Sequence, residues 1–315
     1  AQASPRPASS WLEMASDTHV ERPKPNEVAA AGQKGLRLKL QGPPDRISQA
    51  GPESRFDGAF NGFSPVREAA ITQAEARFEE AQRSGDRSGL AVALLLLADG
   101  LVSNEKLEEA ALKAEQALAF LQELGDKEGE AAAMLVCSKA HYAKGDGARA
   151  KMRVECALEC FRELKHELGE AATLSVIAQV KMAKEREAAL EAAKDSQKLF
   201  QSLGDWRREA AANRLLVGAH IANGSVSEAL QTALQLLEAC RLQGDRRNEA
   251  ATMVLLAEVH SSRENRQEAL QWSKQAADIF REIEDVRNEA ASWYAIAKGH
   301  AERNEPGDSE QALQA

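Results

Sequence analysis

The stretch "GDRRNEAATMVLLAEVHSSRENRQEALQ", residues 244 to 271, returns in altered wording as "GDWRREAAANRLLVGAHIANGSVSEALQ" from residue 204 and as "EDVRNEAASWYAIAKGHAERN" from residue 284. The junction can be followed through the chain. Gly85-Asp86, Gly125-Asp126, Lys165-His166, Gly204-Asp205, Gly244-Asp245 and Glu284-Asp285 recur at spacings of 40, 40, 39, 40 and 40, with the missing residue in the turn after Lys181. A short unit cannot bury its own apolar face, whereas stacked copies share a continuous core. A fixed period of this length therefore predicts an array in which repetition is the means of folding.

Proline marks where the array begins. Eight of the nine prolines lie at or before Pro65, the ninth is Pro306, and the 240 residues between are free of it. A proline-free segment can be helical throughout, while "PRP", "RPKP" and "GPPDR" interrupt helices. The division predicts a Pro/Gly-rich tail over 1–64, disordered or ordered only by a partner, and a repeat array over 65–315. In each unit an Asp or a substitute stands where a helix N-cap belongs, and the residue before it suits the end of the preceding helix. Two apolar patterns follow. The first has Leu97-Ala98, Cys137-Ser138, Ile177-Ala178, Leu216-Val217, Leu256-Ala257 and Ile296-Ala297, each followed by Leu101, His141, Lys181, His220, His260 or His300. The second has Ala110, Ala150, Ala189, Ala229 and Ala269, followed eleven residues later by Leu121, Phe161, Phe200, Cys240 and Phe280. Small residues at fixed places let helices approach, and the large ones fill the space between turns. The pattern predicts a half unit, five full antiparallel helix pairs and a sixth first helix ending near Arg303.

Trp293-x-x-Ile296-Ala297-x-x-His300, and more weakly Met253-x-x-Leu256-Ala257-x-x-His260 followed by Ala269, resembles the tetratricopeptide repeat. The resemblance covers residues 66–315, with units of 40 residues rather than 34 and without the usual closing proline. Long units with "GD" at the junction and "EAL" opening the second helix are similar to those of the spindle-orientation and G-protein-modulator adapters and of kinesin light chains. The recurrent Asn of those adapters is replaced here by Asp99, Lys139, Gln179, Gly218, Glu258 and Lys298, so their ligand does not carry over. The resemblance implies an all-α fold, a right-handed α-solenoid whose first helices line a concave face. It also implies that the positions two before and two after the conserved Leu point into the groove. The first set is Leu95, Leu135, Ser175, Arg214, Val254 and Tyr294; the second is Asp99, Lys139, Gln179, Glu258 and Lys298, with Gly218 at its sixth place. Such a groove would be apolar toward the N-terminal end and mixed further on.

Composition narrows the function. Net charge is −9, with the tail at about +1, and an acidic array argues against a nucleic-acid backbone as partner. The longest apolar run, Leu90 to Ala98, is too short to cross a bilayer, which leaves peripheral association with a membrane complex open. Cys137, Cys156, Cys160 and Cys240 form no disulfide framework and no C-x-x-C pair, which suits a reducing compartment. The chain opens on Ala1, in keeping with a processed or trimmed protein, cytoplasmic or organellar after loss of a leader. No glycine-rich phosphate loop, G-x-S-x-G or H-E-x-x-H occurs, and paired glutamates such as Glu108-Glu109 belong to solvated helix faces. No catalytic, cofactor-binding or metal site is expected. The histidines at one repeat position read as packing residues in place of Tyr, because neighbouring units stand too far apart to share a zinc ion.

What remains is a binding surface. The leading expectation is a scaffold or adapter that holds a peptide segment in the concave groove. The alternative is a non-catalytic structural subunit of a larger assembly, its tail threading across neighbours. The tail offers two candidate motifs: Trp11, Leu12 and Met14 in "SSWLEM", with capping-box spacing from Ser10 to Glu13, and Leu36, Leu38 and Leu40 alternating along "GLRLKLQG". Phe56, Phe60 and Phe63 gather just before the first helix and are expected to pack on the end of the array.

Overall fold

The computed structural model of the protein describes residues 68–301, with side chains over 71–297, all within one compact unit spanning 55–315. The tail motifs around Trp11, Leu12, Met14, Leu36, Leu38 and Leu40, the three phenylalanines and the residues from Pro306 onward lie outside the described residues. Twelve α-helices follow one another among the described residues. The first, α1 (Glu68–Ser84), stands alone. The pairs are α2 (Arg87–Ser103) with α3 (Leu107–Leu124), α4 (Lys127–Ala143) with α5 (Gly147–Glu163), α6 (Glu167–Lys181) with α7 (Arg186–Leu203), α8 (Trp206–Ala222) with α9 (Val226–Gln243), and α10 (Arg246–Ser262) with α11 (Arg266–Glu282). A further first helix, α12 (Val286–Ala301), is the last among the described residues. Each helix packs on the next, and each first helix also touches its neighbours of the same kind from α2 to α10. The architecture is an all-α solenoid of stacked antiparallel helix pairs.

Helix ends are fixed by the junction residues. The side chains of Asp86, Asp126, Asp205 and Asp245 accept the N–H of Gly89, Gly129, Arg208 and Asn248 at 3.0 to 3.1 Å, satisfying an otherwise unpaired donor of the first turn. In the odd unit His166 takes the same role, its Nδ1 accepting from Gly169 N at 2.9 Å. On the other side of the junction, Gly125 turns left-handed at φ 67°. Its N–H reaches Gln122 O at 3.1 Å, while the N–H of Asp126 reaches Leu121 O at 3.0 Å, closing the Schellman pair of bonds. Lys165 and Glu284 hold the equivalent place at φ 54° and 57° with side chains that disfavour it.

The core is made by the two sequence patterns. Ala110, Ala150, Ala189 and Ala229 are fully buried, and the large partners Leu121, Phe161, Phe200, Cys240 and Phe280 are all buried. The fit is closest around Phe161. A Cβ on Gly169 would stand 2.4 Å from its ring, so Phe161 takes the space that a missing methyl leaves at the start of α6. The shortened turn is filled as well: Met182, just past α6, is buried, and its sulfur lies 4.0 Å from the place a Cβ on Gly218 would occupy. Across the second-to-first helix junctions, Arg162–Glu170, Arg241–Glu249 and Arg281–Glu289 repeat one ion pair at 2.7 to 2.9 Å. Arg287, near the start of α12, donates to Glu105 Oε1 at 3.0 Å and to Ser103 O at 3.3 Å. The winding array thus brings its last described helix against the turn of its first full pair.

Two substitutions test this account. Gly169→Ala should destabilise by about 1 to 3 kcal/mol, because Phe161 must leave its rotamer well. Lys165→Gly should stabilise by about 1 kcal/mol by relieving the left-handed residue. Urea melts followed by circular dichroism read both; equal midpoints for Gly169→Ala and the parent would refute the interlock.

Candidate binding surface

Residues seven apart lie on one face of a helix, and residues three and four apart share it as well. In the first helices the two repeat columns expected to line a groove share one face, and their exposure changes along the array. At the N-terminal end it is closed. Leu95 and Leu135 are buried in the main apolar cluster, and Ser175 is buried with its Oγ 2.7 Å from Ser196 Oγ. Asp99 and Lys139 meet as a buried ion pair at 2.8 Å, linking α2 to α4. Burial pushes the Asp99 carboxyl up, and the Lys139 ammonium beside it opposes the shift. Gln179 is half-buried. Arg214 is also half-buried and hydrogen-bonds to Asn248 of α10, and its desolvated guanidinium sits below the usual arginine range.

Toward the C-terminal end the same positions open. Val254 is half-buried, Glu258 is exposed and Tyr294 is 66% exposed, whereas Leu135 is 0%. The side chain of Lys298 lies outside the described ones. The desolvated carboxyl of Glu258 is pushed up to about 7. One turn and more before these residues stands a column the repeat motif does not mark: Arg207, Arg247 and Arg287, spaced 40 residues apart and all exposed. Each lies seven residues before Arg214, Val254 or Tyr294 and so shares their face. Arg247 pairs with Asp285 at 2.9 Å, and Arg287 with Glu105. The spacing in the sequence was sufficient to find this column.

The histidines do not gather. His141 Nε2 lies 3.5 Å from Glu115, and His260 Nδ1 lies 2.7 Å from Glu268 but off-line for a hydrogen bond. Lys181, at the equivalent position, sits 3.2 Å from Glu155. His220 is buried, its Nδ1 unpaired, and burial lowers its pKa, with Lys194 adding to the effect. Burial likewise lowers His260, against the pull of Glu268. These rings pack as expected, and two of them also face a carboxylate on a second helix. Among the described residues no group of three or more His, Cys, Asp or Glu is placed to hold a metal ion. No helix among them is long and apolar enough to cross a membrane. Cys137 and Cys240 are buried, Cys160 is half-buried and Cys156 is exposed, and all four are free thiols.

Residues 208–282 match the family model described as tetratricopeptide repeat. No curated protein matches the chain by sequence. Several solved structures share the fold. A Rap protein complexed with Competence and Sporulation Factor is 17% identical with a TM-score of 0.61, covering 84% of this chain and 74% of that one. The Rap conjugation gene regulator of plasmid pLS20, in complex with the Phr* peptide, is 15% identical with a TM-score of 0.57, covering 74% and 64%. The TPR-like repeats of a putative kinesin light chain from Podosopora anserina are 20% identical with a TM-score of 0.52, covering 62% of this chain and 97% of that one.

Two measurements test the electrostatics. Lys139→Met leaves Asp99 buried without its partner and should cost about 3 to 5 kcal/mol at neutral pH, while Asp99→Leu/Lys139→Met should recover most of that loss. A double-mutant cycle with a null coupling would show that the pair does not hold α2 to α4. Glu258, with a folded pKa above its unfolded one, contributes stability that is present below about pH 4.5 and lost as pH rises through about 7. Glu258→Gln should therefore stabilise the array at pH 8 and not at pH 4, by less than about 1 kcal/mol because water reaches the side chain. His220 and His260 carry the opposite sign: their depressed pKa values give stability above about pH 6.5 that is lost on acidification. Thermal melts of Glu258→Gln and His220→Phe across this range separate the two.

Proposed function

We propose that the chain, whose residues 208–282 match the tetratricopeptide-repeat model, is a protein-interaction scaffold that binds a peptide segment along the more exposed, C-terminal half of the face formed by its first helices. The observation that carries this reading is the arginine column Arg207, Arg247 and Arg287 beside the exposed Tyr294 and the half-buried Val254. Exposed cations repeating at the unit spacing suit an extended ligand that carries acidic groups at matching intervals. Tyr294 and Val254 offer an apolar anchor on the same face. A preformed rigid wall keeps the ordering cost on the ligand side only. The solved Rap complex with the Phr* peptide supports a peptide as the ligand class for this fold, and its 15% identity leaves the ligand's sequence to this chain's own residues.

Glu258 tunes the site. With a carboxyl half-ionised near pH 7, it repels an acidic ligand at pH 8 and ceases to do so at pH 6. Selection of displayed twelve-residue peptides on the full chain should enrich acidic sequences that carry one aromatic or aliphatic anchor. Tyr294→Ala should weaken the selected peptides by about 2 kcal/mol, since buried anchors carry most of the energy. Arg247→Ala/Arg287→Ala should weaken them and flatten their salt dependence, and binding should tighten from pH 8 to pH 6. Calorimetry reads all three. Unchanged affinity for both variants would move the site out of this groove.

A further inference from the structure

A charged side chain drawn partly out of water ordinarily meets a counter-charge, because only a partner offsets the lost hydration. Several charges on the face of the first helices obey this. Asp99 meets Lys139, Arg247 meets Asp285 and Arg287 meets Glu105. Arg214 of α8 is the exception: it is half-buried, and its protein partner is the neutral side-chain oxygen of Asn248 on α10. Asp245 is the carboxylate whose field reaches the guanidinium. Its oxygens are committed to capping α10, accepting from Asn248 N at 3.0 Å and from Asn248 Nδ2 at 2.7 Å. None of the Arg214 nitrogens is buried without a hydrogen bond, so the donors that Asn248 leaves unused face water.

One turn further along α8, on the same face, stands Gly218. The other places of this repeat column carry side chains: Asp99, Lys139, Gln179, Glu258 and Lys298. A Cβ on Gly218 would touch only Met182 Sδ, at 4.0 Å, so the column is interrupted by open space directly beyond Arg214. On the neighbouring first helix, α6, the equivalent place holds the half-buried Gln179.

We propose that Arg214, with the gap at Gly218 and the carboxamide of Gln179 beside it, is a subsite that binds one carboxylate group of a ligand. The guanidinium fork matches a carboxylate through two parallel N–H···O bonds. A single cation neutralises a single negative charge. A phosphate dianion would leave its second charge uncompensated in a half-buried place within the field of Asp245. The missing side chain at Gly218 lets the ligand approach the helix closely. The exposed column of Arg207, Arg247 and Arg287 then attracts an acidic ligand, while Arg214 sets its register by offering a cation that the protein itself leaves without a carboxylate. This inference rests on the face of the first helices being the binding surface proposed above.

The test is a titration of the full chain, isotope-labelled at its arginine side chains, at constant ionic strength. It is run at pH 6, where the Glu258 carboxyl, pushed up to about 7, is largely protonated. Two probes are used: N-acetylglycine, which carries the carboxylate of a chain end, and N-acetylaspartate α-amide, which carries that of a side chain. The Nε–H resonance of Arg214, assigned with Arg214→Lys, should shift along a saturating curve in the millimolar range for at least one probe, and the tighter probe identifies the source of the carboxylate. The resonance of the exposed Arg207 should shift weakly and linearly. Gly218→Leu, which fills the gap, and Gln179→Ala, which removes the neutral donor, should each weaken the saturating response several-fold in protein that circular dichroism shows to be folded. A response at Arg214 no steeper than at Arg207, tighter binding of inorganic phosphate than of either probe, or affinity unchanged in Gln179→Ala and in folded Gly218→Leu would each overturn the proposal. The probes need no peptide. A linear response together with tight binding of selected peptides would sink the subsite alone, and a saturating response with no peptide selected would sink the scaffold reading alone.

Discussion

The structure depends on one contact repeated along the chain: a large side chain near the end of each second helix seated against small residues of the next first helix. Phe161 against Gly169 is the tightest instance, and Phe200 and Phe280 hold the same place in their own units. Because the fully buried alanines, such as Ala150, Ala171, Ala189 and Ala210, let backbones approach, one side chain per unit suffices to fill what remains, an aromatic ring in three units and Leu121 or Cys240 in the others. This explains how a chain with only 4% aromatic residues builds a continuous core. It also explains why stability in such an array is a sum of neighbour contacts rather than the property of one centre.

The contact works only if every helix ends in register. The cap at each junction supplies that constraint, with an acidic or imidazole acceptor at the N-terminus and a left-handed residue before it. The one short unit shows how tolerant the arrangement is. Losing a residue after Lys181 ends α6 early, yet Met182 turns inward and uses space that Gly218 leaves open, so the next junction recovers the period. The deletion is absorbed by packing and not transmitted to α8.

Much of this was legible in the residues. The junction acceptors, including His166 as a substitute, and the interval of eleven from a small Ala to its packing partner follow from rules that act within about three turns of chain. What lay beyond sequence was how close equivalent faces come. Asp99 and Lys139 read as two separate ligand contacts, because a spacing of 40 places them on one column without saying that their side chains meet at 2.8 Å. The partners of His141 and His260 sit on second helices, which a single-helix pattern does not bring to view. Arg207, Arg247 and Arg287 were missed for a different reason. The repeat motif marks positions around its Leu, while these arginines stand two turns earlier, where the first helix begins.

The links between neighbouring first helices follow the change in exposure along the array. Asp99–Lys139 joins α2 to α4, Arg214 with Asn248 joins α8 to α10, and Arg247–Asp285 ties α10 to the cap of α12. The first is buried, the second half-buried and the third partly exposed, so desolvation deepens toward the N-terminus. A buried pair holds its helices firmly only while both charges are present, because either one alone would be stranded away from water. In the third pair Arg247 is exposed while the Asp285 side chain is nearly buried, so water screens the contact from the arginine side. The same class of interaction is thus buried toward the N-terminal end of this face and partly exposed toward the C-terminal end, and the difference arises from burial rather than from residue type.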